Sequence, residues 1–228
     1  MYVIIGLIVV LILMLVGLNI RISDIKKIKQ ISEDNKLNKI TDKLPSNIEV
    51  CKDILDILKN KNVKIEENTE SNTSLYMAIQ NKIIIGNIDN KFTRIQTIAH
   101  ECIHSIQNKK ILYFNIIFSN FYIIYFAIIF IIGLLGISSI NNFLLCMLIA
   151  YSFIYVSIRS FLELDAMNRA RYIAEKYIDK KDILSINDKQ LLLEKYDEIN
   201  NTGIKLYYIT IILKSLLYIL AYCIVLLF

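Results

Sequence analysis

Only two histidines occur in this 228-residue chain, and they stand four residues apart in His100-Glu101-Cys102-Ile103-His104. Positions four apart lie one above the other on an α-helix, so both imidazoles can reach one metal ion from the same face. Glu101 then lies beside the metal and not on it. A zinc ion held by two imidazoles and one carboxylate keeps a position open for water and lowers that water's pKa toward neutrality, and Glu101 can take the proton as general base. The chemistry expected is peptide-bond hydrolysis with one Zn2+ as cofactor, His100 and His104 as ligands and Glu101 as the catalytic carboxylate.

This reading needs a helix, and residues 92–110 contain no Gly or Pro to interrupt one. Ile95, Ile98, Ala99, Cys102, Ile103 and Ile106 fall on one apolar face. Thr93 followed by Gln96 predicts a capping box that opens the helix about two turns before His100. Cys102 lies on the apolar stripe and is expected as a small buried hydrophobe, not a thiolate ligand.

A third ligand must come from elsewhere in the chain. Residues 161–178 form a helix on their pattern and offer Glu163 and Asp165, which two positions apart point about 200° away from each other. Glu163 shares its face with Ala166, Met167, Ala170 and Ala174, a small apolar surface able to approach the motif helix closely. Asp165 shares the opposite face with Asn168, Arg169, Tyr172 and Lys176, where pairing with Arg169 at i, i+4 is the simpler role. Glu163 is therefore the expected third metal ligand.

Composition places these helices. At 55% hydrophobic residues with positive mean hydropathy, the chain is expected to be a mostly α membrane protein. Four apolar runs are long enough for transmembrane helices: an N-terminal anchor at 1–20, then 111–136, 143–160 and 206–228. Lys214 inside the last run is expected to snorkel toward the interface. Between the runs lie polar parts at 21–110, which carries the motif, and 161–204, which carries Glu163. Arg21, Lys26, Lys27, Lys29, Lys109, Lys110, Arg159 and Lys205 flank the runs on the sides of these polar parts, whereas residues 137–142 carry no charge. The positive-inside rule thus puts both polar parts, and the metal site, on the cytoplasmic face of the cell membrane. The net charge of +5 follows from this bias and from attraction to anionic lipid, and no basic stripe with interleaved aromatics suggests nucleic acid.

The polar part 21–110 reads as a small α+β unit. Ile22, Ile25, Ile28 and Ile31 continue a helical stripe that stops at Leu44-Pro45. Ser46 with Glu49 predicts a capped helix to about Lys59. Strands are expected at 63–65, 75–79 and 82–85, with a loop at 66–74 and a turn at Gly86-Asn87. A strand just ahead of the motif helix could offer an edge that aligns an extended substrate, and Ile83-Ile84-Ile85 equally suits buried sheet. A further helix is expected within 182–204, ended by Gly203 before the last run. Four cysteines without CxxC spacing, two of them in apolar runs, suit a reducing compartment.

The order of anchor, strands, His100-Glu101-x-x-His104-x-x-Gln107, two spanning helices, Glu163-x-Asp165-Ala166 and a last spanning helix resembles the bacterial membrane-bound neutral zinc metallopeptidases called YugP-like. The resemblance implies a gluzincin, a zincin-like metallopeptidase unit at the membrane surface, with His100, His104 and Glu163 on zinc and Glu101 catalytic. Its partners would be the lipid bilayer and a peptide or membrane-protein substrate. Ile103 and Ser105 stand where that family usually has Gly and Ala. Two other readings compete: an intramembrane site-2-type protease, disfavoured by the polarity of Arg94, Gln96, Gln107 and Lys109, and an inactive scaffold or immunity-type protein that retains the motif. Six glycines with no GxGxxG or P-loop argue against nucleotide cofactors, and Ser or Cys nucleophile schemes lack a spare histidine.

Overall fold

The computed structural model describes Gly6, Val9, Ile12, Lys26, Gln30, Ile31 and residues 34–227 other than 90 and 137–139. The apolar run at 1–20 and the stripe through Ile22, Ile25 and Ile28 therefore lie outside the described residues, apart from the helical Gly6, Val9 and Ile12 and the buried Ile31. Among the described residues the chain is mostly helical with one small sheet. Its elements are α1 (Asn35–Thr41), α2 (Asn47–Ile57), β1 (Lys64–Asn68), β2 (Leu75–Met77), β3 (Lys82–Gly86), α3 (Arg94–Ile106), α4 (Lys109–Leu134), α5 (Asn141–Lys181) and α6 (Ile186–Val225). They divide into two compact units. One holds 113–161 and 205–228 with the N-terminal residues, and the other holds 21–112 and 162–204.

The first unit is helical. Here α4, α5 and α6 each contain a stretch long and apolar enough to cross a membrane. Ile117, Ile124, Ile131, Phe143 and Phe153 face outward, as suits lipid. Polar groups turn inward: the Tyr122 and Ser152 hydroxyls hydrogen-bond at 2.7 Å, and Ser152 donates to the Leu148 carbonyl at 2.8 Å, which satisfies groups that hydrocarbon could not. Lys214 is exposed on α6 with its ammonium about 6 Å from the Tyr155 and Tyr218 rings. That distance fits a cation resting on aromatic faces.

The second unit carries the sheet and the motif. Its strands run in the order β1-β3-β2, with β1 parallel and β2 antiparallel to β3. Ile83 and Ile85 are fully buried in the central strand, facing the core that α2 and α3 complete. The strand nearest the motif helix in sequence is thus ordinary buried sheet, and the edges belong to β1 and β2. β1 starts at Lys64 and runs on to Asn68 through what the sequence suggested was loop. Gly86 is needed at the end of β3, since a Cβ there would sit 2.7 Å from the Ser71 carbonyl oxygen and 2.8 Å from the Thr73 backbone.

Three helix boundaries differ from the sequence reading. The expected helices at 143–160 and 161–178 are one 41-residue helix, and the expected break at Gly203 is absent because α6 runs through it for 40 residues. Gly203 serves packing: a Cβ would meet Met167 Cε at 3.3 Å, so the small residue permits close approach and its low helix propensity is tolerated. The helix over 92–110 is in turn two helices. Gln107 is extended (φ −67°, ψ 162°) and closes α3, while the Asn108 side chain accepts the Lys110 N–H at 2.9 Å and opens α4. Asn at that place is an N-cap signal, readable without Gly or Pro.

Candidate metal centre

The motif helix is held at both ends by polar contacts. Thr93 occupies the N-cap position but its side chain makes no capping bond, so the expected box with Gln96 is not formed. The buried Arg94 guanidinium instead ties this end to the preceding segment, donating to the carbonyls of Pro45 (2.8 Å), Thr41 (2.7 Å) and Leu44 (2.8 Å) and to Asn47 Oδ1 (3.0 Å). From α6, the Tyr196 hydroxyl donates to the Phe92 carbonyl at 2.8 Å. At the other end Asn60 donates to the Ser105 hydroxyl (3.0 Å) and carbonyl (3.2 Å), and Ser105 donates on to the Cys102 carbonyl (2.6 Å). Cys102 is buried as expected, with its sulfur 3.7 Å from that of Cys51 on α2.

This frame brings His100, His104 and Glu163 together. The two Nε2 atoms lie 3.0 Å apart, and Glu163 Oε2 from α5 lies 3.3 Å from His100 Nε2 and 3.6 Å from His104 Nε2. A tetrahedral site with bonds of about 2.0–2.1 Å has ligand-to-ligand edges of about 3.3–3.4 Å. The triangle thus has the size of one face of such a site, and its two imidazoles and one carboxylate suit a divalent ion. These three side chains keep between 12 and 21% of their surface exposed.

The charged groups of the cluster shift one another. Burial alone would push the Glu163 carboxyl up, but the hydrogen bonds and charge of the two imidazoles hold it well below the usual carboxylate range. His104 is shifted upward: burial opposes its charged form, and Glu163, Glu101 and Gln107 outweigh that. Glu101 goes the other way from Glu163. Burial pushes its carboxyl up, with Glu163 adding, against the pull of the two imidazoles and a hydrogen bond from the Tyr76 backbone N–H at 2.6 Å. The edge strand β2 therefore meets the site through Tyr76.

Asp165 pairs with Arg169 at 3.3 Å, the i, i+4 contact expected of it, but its carboxylate is not turned wholly away from the site. A second bond was not anticipated: Asp165 Oδ2 accepts from Gln107 Nε2 at 2.9 Å. Gln107 appeared in the sequence only as part of a motif, and its side chain is the contact that sequence reasoning missed. The signal available was its place one helical turn beyond His104.

No family model matches the chain, and neither a curated protein nor a solved structure matches it. Among the described residues there are three helices able to cross a membrane and a His100, His104 and Glu163 group able to hold a metal ion.

Proposed function

We infer that the protein is a zinc-dependent metallopeptidase of the cell membrane, of the kind that the YugP-like resemblance implies, hydrolysing peptides or membrane-protein segments at the cytoplasmic surface. One observation carries the reading: a carboxylate from a distant helix completes a tetrahedral-sized face with the two motif imidazoles, while the glutamate between them stays off that face and carries a raised pKa. Zinc at this site would polarise a peptide carbonyl and acidify a water molecule. Glu101 then receives that water's proton on its carboxylate and passes it to the departing amine, a task for which a raised pKa is suited. The Tyr76 N–H holds Glu101 Oε2 and leaves proton transfer to Oε1. The polar cage around Arg94 supports a surface site over an intramembrane one, since α3 has only 13 residues and is not among the helices long enough to span.

The test is hydrolysis by the full chain in mild detergent, read by mass spectrometry on a mixed peptide library. Cleavage should occur, stop on chelation, return with zinc, and fall at least about 100-fold in Glu101→Gln. Zinc-replete protein that cleaves nothing, or a Glu101→Gln variant as active as the parent, would overturn the reading in favour of an inactive scaffold.

A further inference from the structure

Gln107 has every polar atom of its side chain engaged. Its Nε2 stands 2.7 Å from the Leu162 carbonyl oxygen and 2.9 Å from Asp165 Oδ2, and its Oε1 stands 2.8 Å from His104 Nδ1. The amide end flanked by two acceptors must be the nitrogen, because an oxygen there would face a carbonyl and a carboxylate with no proton between them. Oε1 is thereby turned to His104 as an acceptor, so Nδ1 must carry the proton. In a neutral ring this leaves the lone pair on Nε2, the atom directed at His100 and Glu163. The same amide ties the end of α3 to the turn of α5 that carries Glu163. It can do so because Gln107 leaves the helix in an extended conformation and is itself buried.

We propose that Gln107 is the positioning residue of this centre, fixing His104 as the Nδ1–H tautomer and setting the separation of His104 and Glu163, with its own orientation fixed by Asp165 and the Leu162 carbonyl. Partners of this kind on a ligating histidine commonly contribute 10- to 100-fold in metal affinity. The metal part of the proposal rests on the metallopeptidase reading, whereas the tautomer does not.

The experiment separates the two. The full chain, labelled with 15N-histidine and freed of metal in detergent, is observed at alkaline pH, and with only two histidines the ring signals are few. One ring, assigned to His104 by its loss in His104→Gln, should show a protonated Nδ1. In Gln107→Met, of similar size but without donors or acceptors, that ring should revert to the Nε2–H form that free imidazole side chains favour. Zinc affinity measured against a chromophoric chelator should fall about 10- to 100-fold in Gln107→Met. A parent chain whose His104 Nδ1 is unprotonated overturns the proposal, whether or not Gln107→Met folds. So does a folded Gln107→Met with the parent's tautomer and affinity. A locked tautomer, lost in Gln107→Met, in a chain that binds no zinc would uphold the positioning role and sink the metallopeptidase reading.

Discussion

At the level of single residues the account separates holding a metal from using it. Glu163→Ala removes one of three ligands and should weaken zinc binding by more than about 100-fold, whereas Glu101→Gln should keep the zinc and lose only turnover. Asp165→Ala should cost less metal affinity than Glu163→Ala, since Asp165 acts through Gln107. An exchange of those two effects would mean that the ligand is Asp165. The shifted groups also predict a pH dependence of the metal-free chain. Glu163, depressed, contributes stability above about pH 4.3, the ordinary glutamate value, and loses it only far into acid. His104 is raised, so its contribution is complete below about pH 6.5 and fades as pH rises through its folded value, whereas the raised Glu101 contributes fully only below about pH 4.3 and loses that contribution as pH rises through its own folded value. Thermal midpoints of metal-free protein should therefore be highest in mild acid, near about pH 4.3, and fall as pH rises through neutrality. Zinc should add more stability as pH rises, because its ligands must be deprotonated. A metal-free midpoint that climbs steadily through pH 8 would contradict these assignments.

The elements are positioned by contacts that periodicity does not encode. Arg94→Met should destabilise the metal-site unit by about 3 kcal/mol by leaving the carbonyls of Thr41, Leu44 and Pro45 without their buried donor. A calorimetric midpoint unchanged from the parent would show that the cage is not structural. Gly86→Ala should cost about 1–3 kcal/mol, since the new methyl meets backbone that can yield only by moving the 71–74 loop. The motif helix, the three strands and the face that carries Glu163 were legible in the sequence because each depends on a local period and on residues that exclude alternatives. Helix ends were less so. Nothing in the local pattern separates residues 143–160 from 161–178 as one helix or two, and Gly203 reads as a stop until Met167 is seen against it. The Gln107 bonds to Leu162 and Asp165 link positions 55 and 58 residues apart, a range at which spacing carries no information.

Over the whole molecule, the outward apolar faces of α4, α5 and α6 and the inward Tyr122–Ser152 bond describe a unit adapted to hydrocarbon, built on the same helices that furnish Glu163 and Tyr196 to the other unit. The chain should accordingly stay with membranes through alkaline carbonate washing and leave them only in detergent. Recovery in the washed supernatant would contradict the spanning assignment. The central claim, that His100, His104 and Glu163 form a zinc site, is tested most directly by the metal content of the full chain purified in mild detergent and measured by elemental mass spectrometry. The account predicts close to one zinc per chain in the parent and in Glu101→Gln, and little or none in Glu163→Ala. A folded parent chain without stoichiometric zinc, one that also fails to take it up when supplied, would contradict it.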